Sequence, residues 1–253
     1  MNKDVLRQTI IVLLVLATIV VNGLANALPL NGLTTGEISD RFEVYFVPAG
    51  YVFSIWGLIY LGLIAYAIYQ ALPSQRHNPR LRSIAGFFVL ASFANIAWLF
   101  LWHYEQFPWT LAAMLLLLLC LIAIYLRLGT GLGKVPFAET WLVRLPFSIY
   151  LGWISVATIA NVTSLLDYLN WDGFGLSPEA WMLIILAVVV VIAGLMSFTR
   201  RDIAYVLVIL WALAGIAIKH VSVALVSTAT WATFGLVGIL FIYTLLKPKP
   251  ALQ

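Results

Sequence analysis

Residues 109–127 read WTLAAMLLLLLCLIAIYLR, and this stretch decides the class of fold. It is apolar from Leu111 to Leu126, and its only charged residue is Arg127 at the end. An α-helix needs roughly 20 apolar residues to cross a hydrocarbon core about 30 Å thick. The stretch therefore predicts a transmembrane helix, and its lack of polar residues predicts that it faces lipid.

The composition of the whole chain also predicts a membrane protein. Of the 253 residues, 63% are hydrophobic and only 9% are charged, whereas soluble domains carry about 25% charged residues. The lipid bilayer is therefore the expected environment, and no basic patch with interleaved aromatic residues predicts nucleic acid as a partner. The single cysteine, Cys120, lies inside an apolar run, which excludes a disulfide and a cysteine-based metal site.

Seven further apolar stretches resemble residues 109–127. The run from Asp202 to Leu246 is 45 residues long, which is too long for one crossing and predicts a tight hairpin at Lys219-His220. The predicted fold is thus an all-α integral membrane protein with about eight transmembrane helices. The predicted spans lie near 8–28, 49–72, 84–103, 109–127, 143–166, 180–198, 202–219 and 222–246.

Charge predicts the orientation of these spans. With a cytoplasmic N-terminus, 12 of the 14 basic residues lie on the inner side, and only Arg41 and Lys219 lie outside. Cytoplasmic loops of membrane proteins carry this excess of Lys and Arg, so we expect a multi-pass protein of the cell membrane with both termini cytoplasmic. Although Lys3 and Arg7 precede an apolar run, residues 22–26 make a poor cleavage site, so the first helix is predicted to be retained.

The polar side chains within the spans are almost all neutral. No Asp, Glu or Arg lies at a predicted mid-membrane depth, where proton-coupled transporters place ionisable groups. No residue pattern predicts a metal site, a required cofactor or a catalytic residue. Amides and aromatic rings nevertheless recur in the outer half of four predicted helices. The candidate ligand-binding residues are Asn22, Asn26, Trp56, Tyr60, Asn95, Trp98, Trp153, Ala157 and Asn161.

Two interpretations of this set remain open. Asn side chains often join membrane helices by hydrogen bonds, and that role needs no ligand. Alternatively, an apolar pocket with a few orienting polar groups suits a flat hydrophobic molecule. The remaining tryptophans near the outer boundary are explained by the interfacial aromatic belt. They are Trp102, Trp109, Trp171 and Trp181.

Three motifs resemble those of the TspO/MBR family, the tryptophan-rich sensory or translocator proteins. Residues 47–60, VPAGYVFSIWGLIY, are similar to the second-helix signature of the family, with Pro48-Ala49 in place of the usual double proline. Residues 95–100, NIAWLF, are similar to its third-helix segment. Residues 145–161, LPFSIYLGWISVATIAN, are similar to its fifth-helix segment. The three motifs occur in the family's order over residues 8–168.

The resemblance implies a five-helix bundle that binds porphyrins in a cavity capped by the loop from Pro29 to Val47. It implies that Trp56, Asn95, Trp98 and Trp153 line the cavity and that Asn161 lies beside it. Arg41 on the cap is a candidate partner for an acidic substituent, with a solvated loop charge as the alternative. We therefore divide the chain into a TspO-like bundle, 1–168, and a three-helix extension, 169–253.

Three functions are considered, of which the first is the expected one and the other two are alternatives. The first is a binding protein, sensor or translocator for a flat hydrophobic ligand, with a porphyrin as the candidate. The second is an enzyme that degrades the porphyrin by photo-oxidation, although the sequence supplies no acid–base set for one. The third is a carrier of another molecule or a structural subunit of a membrane complex. The extra helices either cover the cavity or replace a contact in a homodimer.

Overall fold

The computed structural model describes residues 2–28 and 30–246, with the side chain of Asn26 excepted. Within those residues the regular structure is helical and contains no strand. Ten α-helices follow one another along this described part of the chain. They are α1 (Lys3–Ala27), α2 (Thr35–Ser39), α3 (Ile55–Ala71), α4 (Pro79–His103), α5 (Phe107–Leu128), α6 (Phe137–Glu139), α7 (Leu145–Tyr168), α8 (Pro178–Thr199), α9 (Ile203–Lys219) and α10 (Ala224–Leu246).

Within the described residues, seven helical segments are long and apolar enough to cross a membrane. One of them, Phe137–Tyr168, joins α6 to α7 through a π-helical turn at Thr140–Arg144. The span predicted at 202–219 is the shorter helix α9, whose 17 residues extend about 26 Å at 1.5 Å per residue. The all-α membrane fold is confirmed. The span predicted at 202–219 is present as a helix somewhat shorter than the hydrocarbon core.

Local chemistry sets the ends of these helices. Asn78 caps α4, because its side chain accepts hydrogen bonds from the backbone N–H groups of Arg80 and Leu81. Gly129 ends α5 in the left-handed conformation that glycine adopts without strain. Asp202 caps α9 by accepting from the Tyr205 N–H at 3.1 Å. Its carboxylate also accepts from the Tyr125 hydroxyl at 2.7 Å, which ties the start of α9 to α5.

Helices α1, α3, α4, α5 and α7 pack together as a five-helix bundle. Helix α5 packs along both α4 and α7, so the prediction that it faces lipid is right for only one of its faces. Buried Met114, Leu117 and Leu121 lie on the inner face of α5, whereas Leu119 and Leu126 are exposed on the outer face. Length and hydrophobicity identify such a helix, but they do not separate its packed face from its lipid face when both are apolar.

Helix α9 attaches the three C-terminal helices to the bundle. It packs against α7 on one side and against α8 and α10 on the other. At the bundle contact, a Cβ added to Gly152 would lie 3.1 Å from the Val208 Cβ, so the missing side chain lets the two helices approach closely. The predicted boundary at residue 169 follows the end of α7, and the division into two domains stays a prediction.

The same helix also contacts the segment that leads into α3. The Ala49 N–H donates to the Gly215 carbonyl at 3.2 Å. The Trp211 indole donates to the Val52 carbonyl at 3.1 Å. A Cβ on Gly215 would lie only 2.1 Å from the Val52 Cγ2, which leaves no space for a larger residue. The C-terminal helices therefore fix the position of the 3-10 turn at Gly50–Ser54, from which α3 begins.

Candidate functional site

Two small cavities lie where α1, α3, α4 and α7 meet beneath the segment 30–47. One has a volume of about 120 Å³ and the other about 40 Å³. The cavities are neighbours, because four residues line both of them. The shared residues are Thr35, Phe53, Trp56 and Trp98.

Aromatic rings from three helices form the walls. The indoles of Trp98 and Trp102 on α4 stack with their centroids 5.6 Å apart and their planes at 19°. Trp56 stacks on Tyr60 along α3, also at 5.6 Å. Trp153 of α7 meets Trp56 edge-on at 6.3 Å. A planar molecule in these cavities would meet aromatic side chains from α3, α4 and α7.

Two of these indoles have unpaired hydrogen-bond donors. The Nε1 atoms of Trp98 and Trp153 are buried, and neither has a partner among the residues that the structure describes. By contrast, Trp102 Nε1 donates to the Thr35 carbonyl at 3.2 Å. A buried N–H without an acceptor is unfavourable, because it has lost its hydrogen bonds to water. An acceptor group inside the cavity would satisfy these two donors.

The amides of α1 and α4 form a closed network behind the aromatic walls. Asn22 Nδ2 donates to Asn95 Oδ1 at 2.9 Å, and Asn95 Nδ2 donates to the Tyr150 hydroxyl at 3.1 Å. Asn22 also donates to the Thr18 carbonyl within α1. Asn95 is fully buried. The network joins α1, α4 and α7, so Asn95 has the helix-joining role that amides often have in membranes.

Helix α7 contributes a small and a polar residue to the smaller cavity. Ala157 leaves open space between the walls, and Asn161 lines the cavity one turn further along. The Asn161 Oδ1 accepts from the Thr110 hydroxyl at 3.4 Å, which links α7 to α5. Asn161 is thus the amide best placed to meet a ligand in this cavity.

The segment 30–47 covers the cavities and is fastened to the end of α4. His103 Nδ1 lies 3.1 Å from the Leu30 carbonyl, and His103 Nε2 lies 3.2 Å from the Thr35 hydroxyl. Because a carbonyl can only accept, Nδ1 carries a proton. Asn31 Nδ2 donates to the His103 carbonyl at 3.1 Å. These bonds hold Thr35 and Gly36 over the larger cavity.

Two exposed ion pairs fasten the same segment at its outer surface. Arg41 pairs with Glu105 at 2.5 Å, and this hydrogen bond raises the pKa of the Arg41 guanidinium. Lys219 pairs with Asp40 at 2.5 Å, which links the cap to the turn between α9 and α10. Exposed ion pairs contribute little to stability, so these two pairs hold the cap only weakly. The guanidinium of Arg41, a candidate partner for a ligand, forms its ion pair with Glu105 in this structure.

The structure brings most of the predicted set together. Asn95 lines neither cavity, and its side chain is hydrogen-bonded to Asn22 and Tyr150. The side chain of Asn26 lies outside the described part of the chain. The predicted residues that line a cavity are Asn22, Trp56, Tyr60, Trp98, Trp153, Ala157 and Asn161.

Sequence reasoning missed three prominent lining residues. Trp102 was assigned to the interfacial belt, but it is buried and stacked on Trp98, so that assignment is wrong. Its position four residues after Trp98 on the face of Asn95 was the available signal. Thr35 and Phe53 lie before α3, in the cap and in the turn at Gly50–Ser54, where no helical period marks them.

Comparison of the chain with known proteins identifies one matching family. Residues 8–246 match the sequence model of the family described as TSPO-like protein. The matched range covers all eight predicted spans, including the three C-terminal helices. No curated protein and no solved structure matches the chain.

Proposed function

The chain belongs to the TSPO-like family, and on this premise we propose that it binds a flat hydrophobic molecule in the cavities beneath the cap. A tetrapyrrole such as a porphyrin is the ligand class we propose. The protein would then act as a sensor or translocator of that ligand. The helices of the chain are long and apolar enough to cross a membrane, into which hydrophobic molecules partition, and this supports a hydrophobic ligand.

The two unpaired indole donors carry this proposal. Trp98 and Trp153 line the same cavity, and their buried N–H groups lack acceptors among the described residues. A ligand with a carboxylate, carbonyl or ring nitrogen acceptor would pair with them, while its ring system packs against the aromatic walls. A ligand acceptor would give these two buried donors the hydrogen-bond partner that most buried polar groups in native proteins have.

The volumes show what a large ligand requires. Drug-sized ligands occupy sites of roughly 300–1,000 Å³, whereas these cavities measure about 120 and 40 Å³. A tetrapyrrole therefore needs Phe53, Trp56 and the cap to move apart, which would merge the two spaces. The cap is attached by a few hydrogen bonds and two exposed ion pairs, so it is the part we expect to move.

We propose binding rather than catalysis because of the chemistry of the lining residues. Within the described part of the chain, no Asp, Glu, His, Lys or Arg lines either cavity. A hydrolytic or acid–base step needs such a group within hydrogen-bond reach of the substrate. The lining residues can stack, donate hydrogen bonds and exclude water.

Protoporphyrin IX is the probe that tests this proposal. We expect it to quench the tryptophan fluorescence of the detergent-purified protein saturably. The double variant Trp98→Phe/Trp153→Phe keeps two aromatic rings but removes both donors, so its affinity should fall about tenfold, as for two ordinary hydrogen bonds. Trp109→Phe is the matched control, because Trp109 is exposed on the outer surface.

Equal affinity in the wild type and the double variant would overturn the assignment of the site. Acridine, a smaller planar probe, separates the site from the ligand class. If acridine binds and depends on the two indoles but protoporphyrin IX does not bind, the cavity stands and the tetrapyrrole is wrong. If neither probe binds saturably, the binding function itself is contradicted.

We also propose that both termini face the cytoplasm of a cell membrane. Within the described residues, the ion pairs Arg82–Asp4 and Arg80–Glu139 lie at the basic end of the bundle, and the cap lies at the other end. A cysteine introduced at Ser74 should be protected from a membrane-impermeant maleimide in intact cells, and one at Gly175 should react. The native Cys120 is buried. The reverse labelling pattern would contradict the orientation.

A further inference from the structure

A third and larger cavity lies outside the site described above. Its volume is about 260 Å³, and it shares no lining residue with the other two cavities. It lies between residues 43–46 of the cap, the end of α7 and the start of α8. It is therefore built jointly by the five-helix bundle and the C-terminal extension.

Aromatic side chains form one wall of this cavity. The rings of Trp171 and Trp181 lie 5.0 Å apart at an angle of 56°. The Trp181 indole donates to the Gly173 carbonyl at 2.8 Å, which fixes its ring in place. Leu176, Met182 and Ile185 supply an apolar lining. The sequence predicts both tryptophans as residues of the interfacial aromatic belt, and the structure shows that they also line this cavity.

Carboxylates surround the same cavity. Glu43, Asp167 and Asp172 all line it. None of the three forms an ion pair with a basic residue in the described part of the chain. Two other acidic residues at this end do form ion pairs, Asp40 with Lys219 and Glu105 with Arg41. The cavity therefore combines indole walls with carboxylates that form no ion pair with a basic side chain of the described residues.

We propose that this cavity binds an organic cation, an ammonium group attached to an apolar body. Indole rings attract such cations through their faces, and quaternary ammonium ions are recognised by aromatic side chains in this way. The carboxylates add attraction for the same charge and disfavour an anion. The apolar part of the ligand would pack against Leu176, Met182 and Ile185. This proposal does not depend on the function proposed for the other two cavities.

Choline and its uncharged isostere, in which tert-butyl replaces trimethylammonium, test this proposal on the full chain in detergent. We expect saturable choline binding by calorimetry and much weaker binding of the isostere. The double variant Asp167→Asn/Asp172→Asn should weaken choline binding about fivefold, as for two partly screened charges. Asn keeps an acceptor for the backbone bonds that these residues make to the Glu43 and Phe174 N–H groups.

Glu37→Gln is the matched control. It removes one negative charge from an exposed residue of the cap outside this cavity, and glutamine can keep the capping box with Thr34. We expect it to leave choline binding unchanged. Equal binding of choline and the isostere, no saturable binding of choline, or equal losses in the double variant and the control would each overturn the proposal.

The source of the cation can be a lipid headgroup or a soluble molecule. Nanodiscs distinguish the two. Weaker choline binding in phosphatidylcholine than in phosphatidylglycerol nanodiscs would identify the headgroup as a competing occupant. Equal binding in both would identify a soluble cation, and either result supports a cation site.

Discussion

Ala157→Leu should weaken the binding of protoporphyrin IX by at least about tenfold while the protein still folds. Ala157 lines the smaller cavity between the indoles of α3, α4 and α7. A leucine there would occupy space of about 40 Å³ that the ligand must enter. Filling a void with an apolar side chain of fitting size is tolerated far better than overpacking a close-packed core. Fluorescence quenching gives the affinity, and the thermal midpoint in detergent reports the fold.

Ala112→Leu is the control for this prediction. It makes the same substitution on the exposed face of α5, away from all three cavities. We expect binding and thermal stability equal to those of the wild type. If Ala157→Leu folds and still binds with wild-type affinity, the ligand lies elsewhere and the proposed site is wrong.

Gly215→Ala should lower the thermal stability, against the usual direction of this substitution in a helix. Alanine stabilises an ordinary helical position by roughly 1 kcal/mol relative to glycine. At Gly215, however, the new Cβ would lie 2.1 Å from the Val52 Cγ2 and 3.4 Å from the Pro48 Cβ. Val52 is fully buried, and valine is stiff about χ1, so displacing this methyl group is costly. We therefore expect destabilisation of about 1–3 kcal/mol, the range for overpacked cores.

Two further variants isolate the cause. Gly235→Ala lies in α10, where an added Cβ meets nothing within 4 Å, so its thermal midpoint should be unchanged or higher. Adding Val52→Ala to Gly215→Ala removes the clashing methyl group, and this double variant should recover part of the loss. A thermal midpoint for Gly215→Ala equal to that of Gly235→Ala would show that α9 does not press on the turn before α3.

Apolar length alone predicts the membrane helices well. The span predicted at 202–219 is α9, Ile203–Lys219, and the predicted hairpin at Lys219-His220 is the observed turn. Some of the errors lie at charged helix ends. Helix α4 begins at Pro79 rather than near residue 84, because the helix continues through Arg80 and Arg82 after its Asn78 cap. Hydropathy does not identify the first turn of a helix when that turn carries charged residues. The Asn78-Pro79 pair is a helix-start signal that does identify it.

The sequence predicts the depth and helix face of the site residues, but it does not predict their hydrogen-bond partners. Trp98 and Trp153 were placed at similar depth, and both line a cavity. Asn95 was placed with them, yet it bonds to Asn22 and Tyr150 behind the walls. The partner of a buried amide depends on how neighbouring helices rotate, and the helical period of one segment does not contain that information. The volume of the cavity and the contribution of Thr35 also follow only from the packed structure.

Native mass spectrometry tests the central claim most directly, because it counts ligands on the intact chain. Wild-type protein, Ala157→Leu and Ala112→Leu would each be incubated with protoporphyrin IX and released gently from detergent. We predict one bound porphyrin per chain for the wild type and Ala112→Leu, and a much smaller bound fraction for Ala157→Leu at the same porphyrin concentration. The same adduct on all three proteins would contradict a ligand site enclosed by the indoles beneath the cap, and no adduct on any of them would contradict a porphyrin as its ligand.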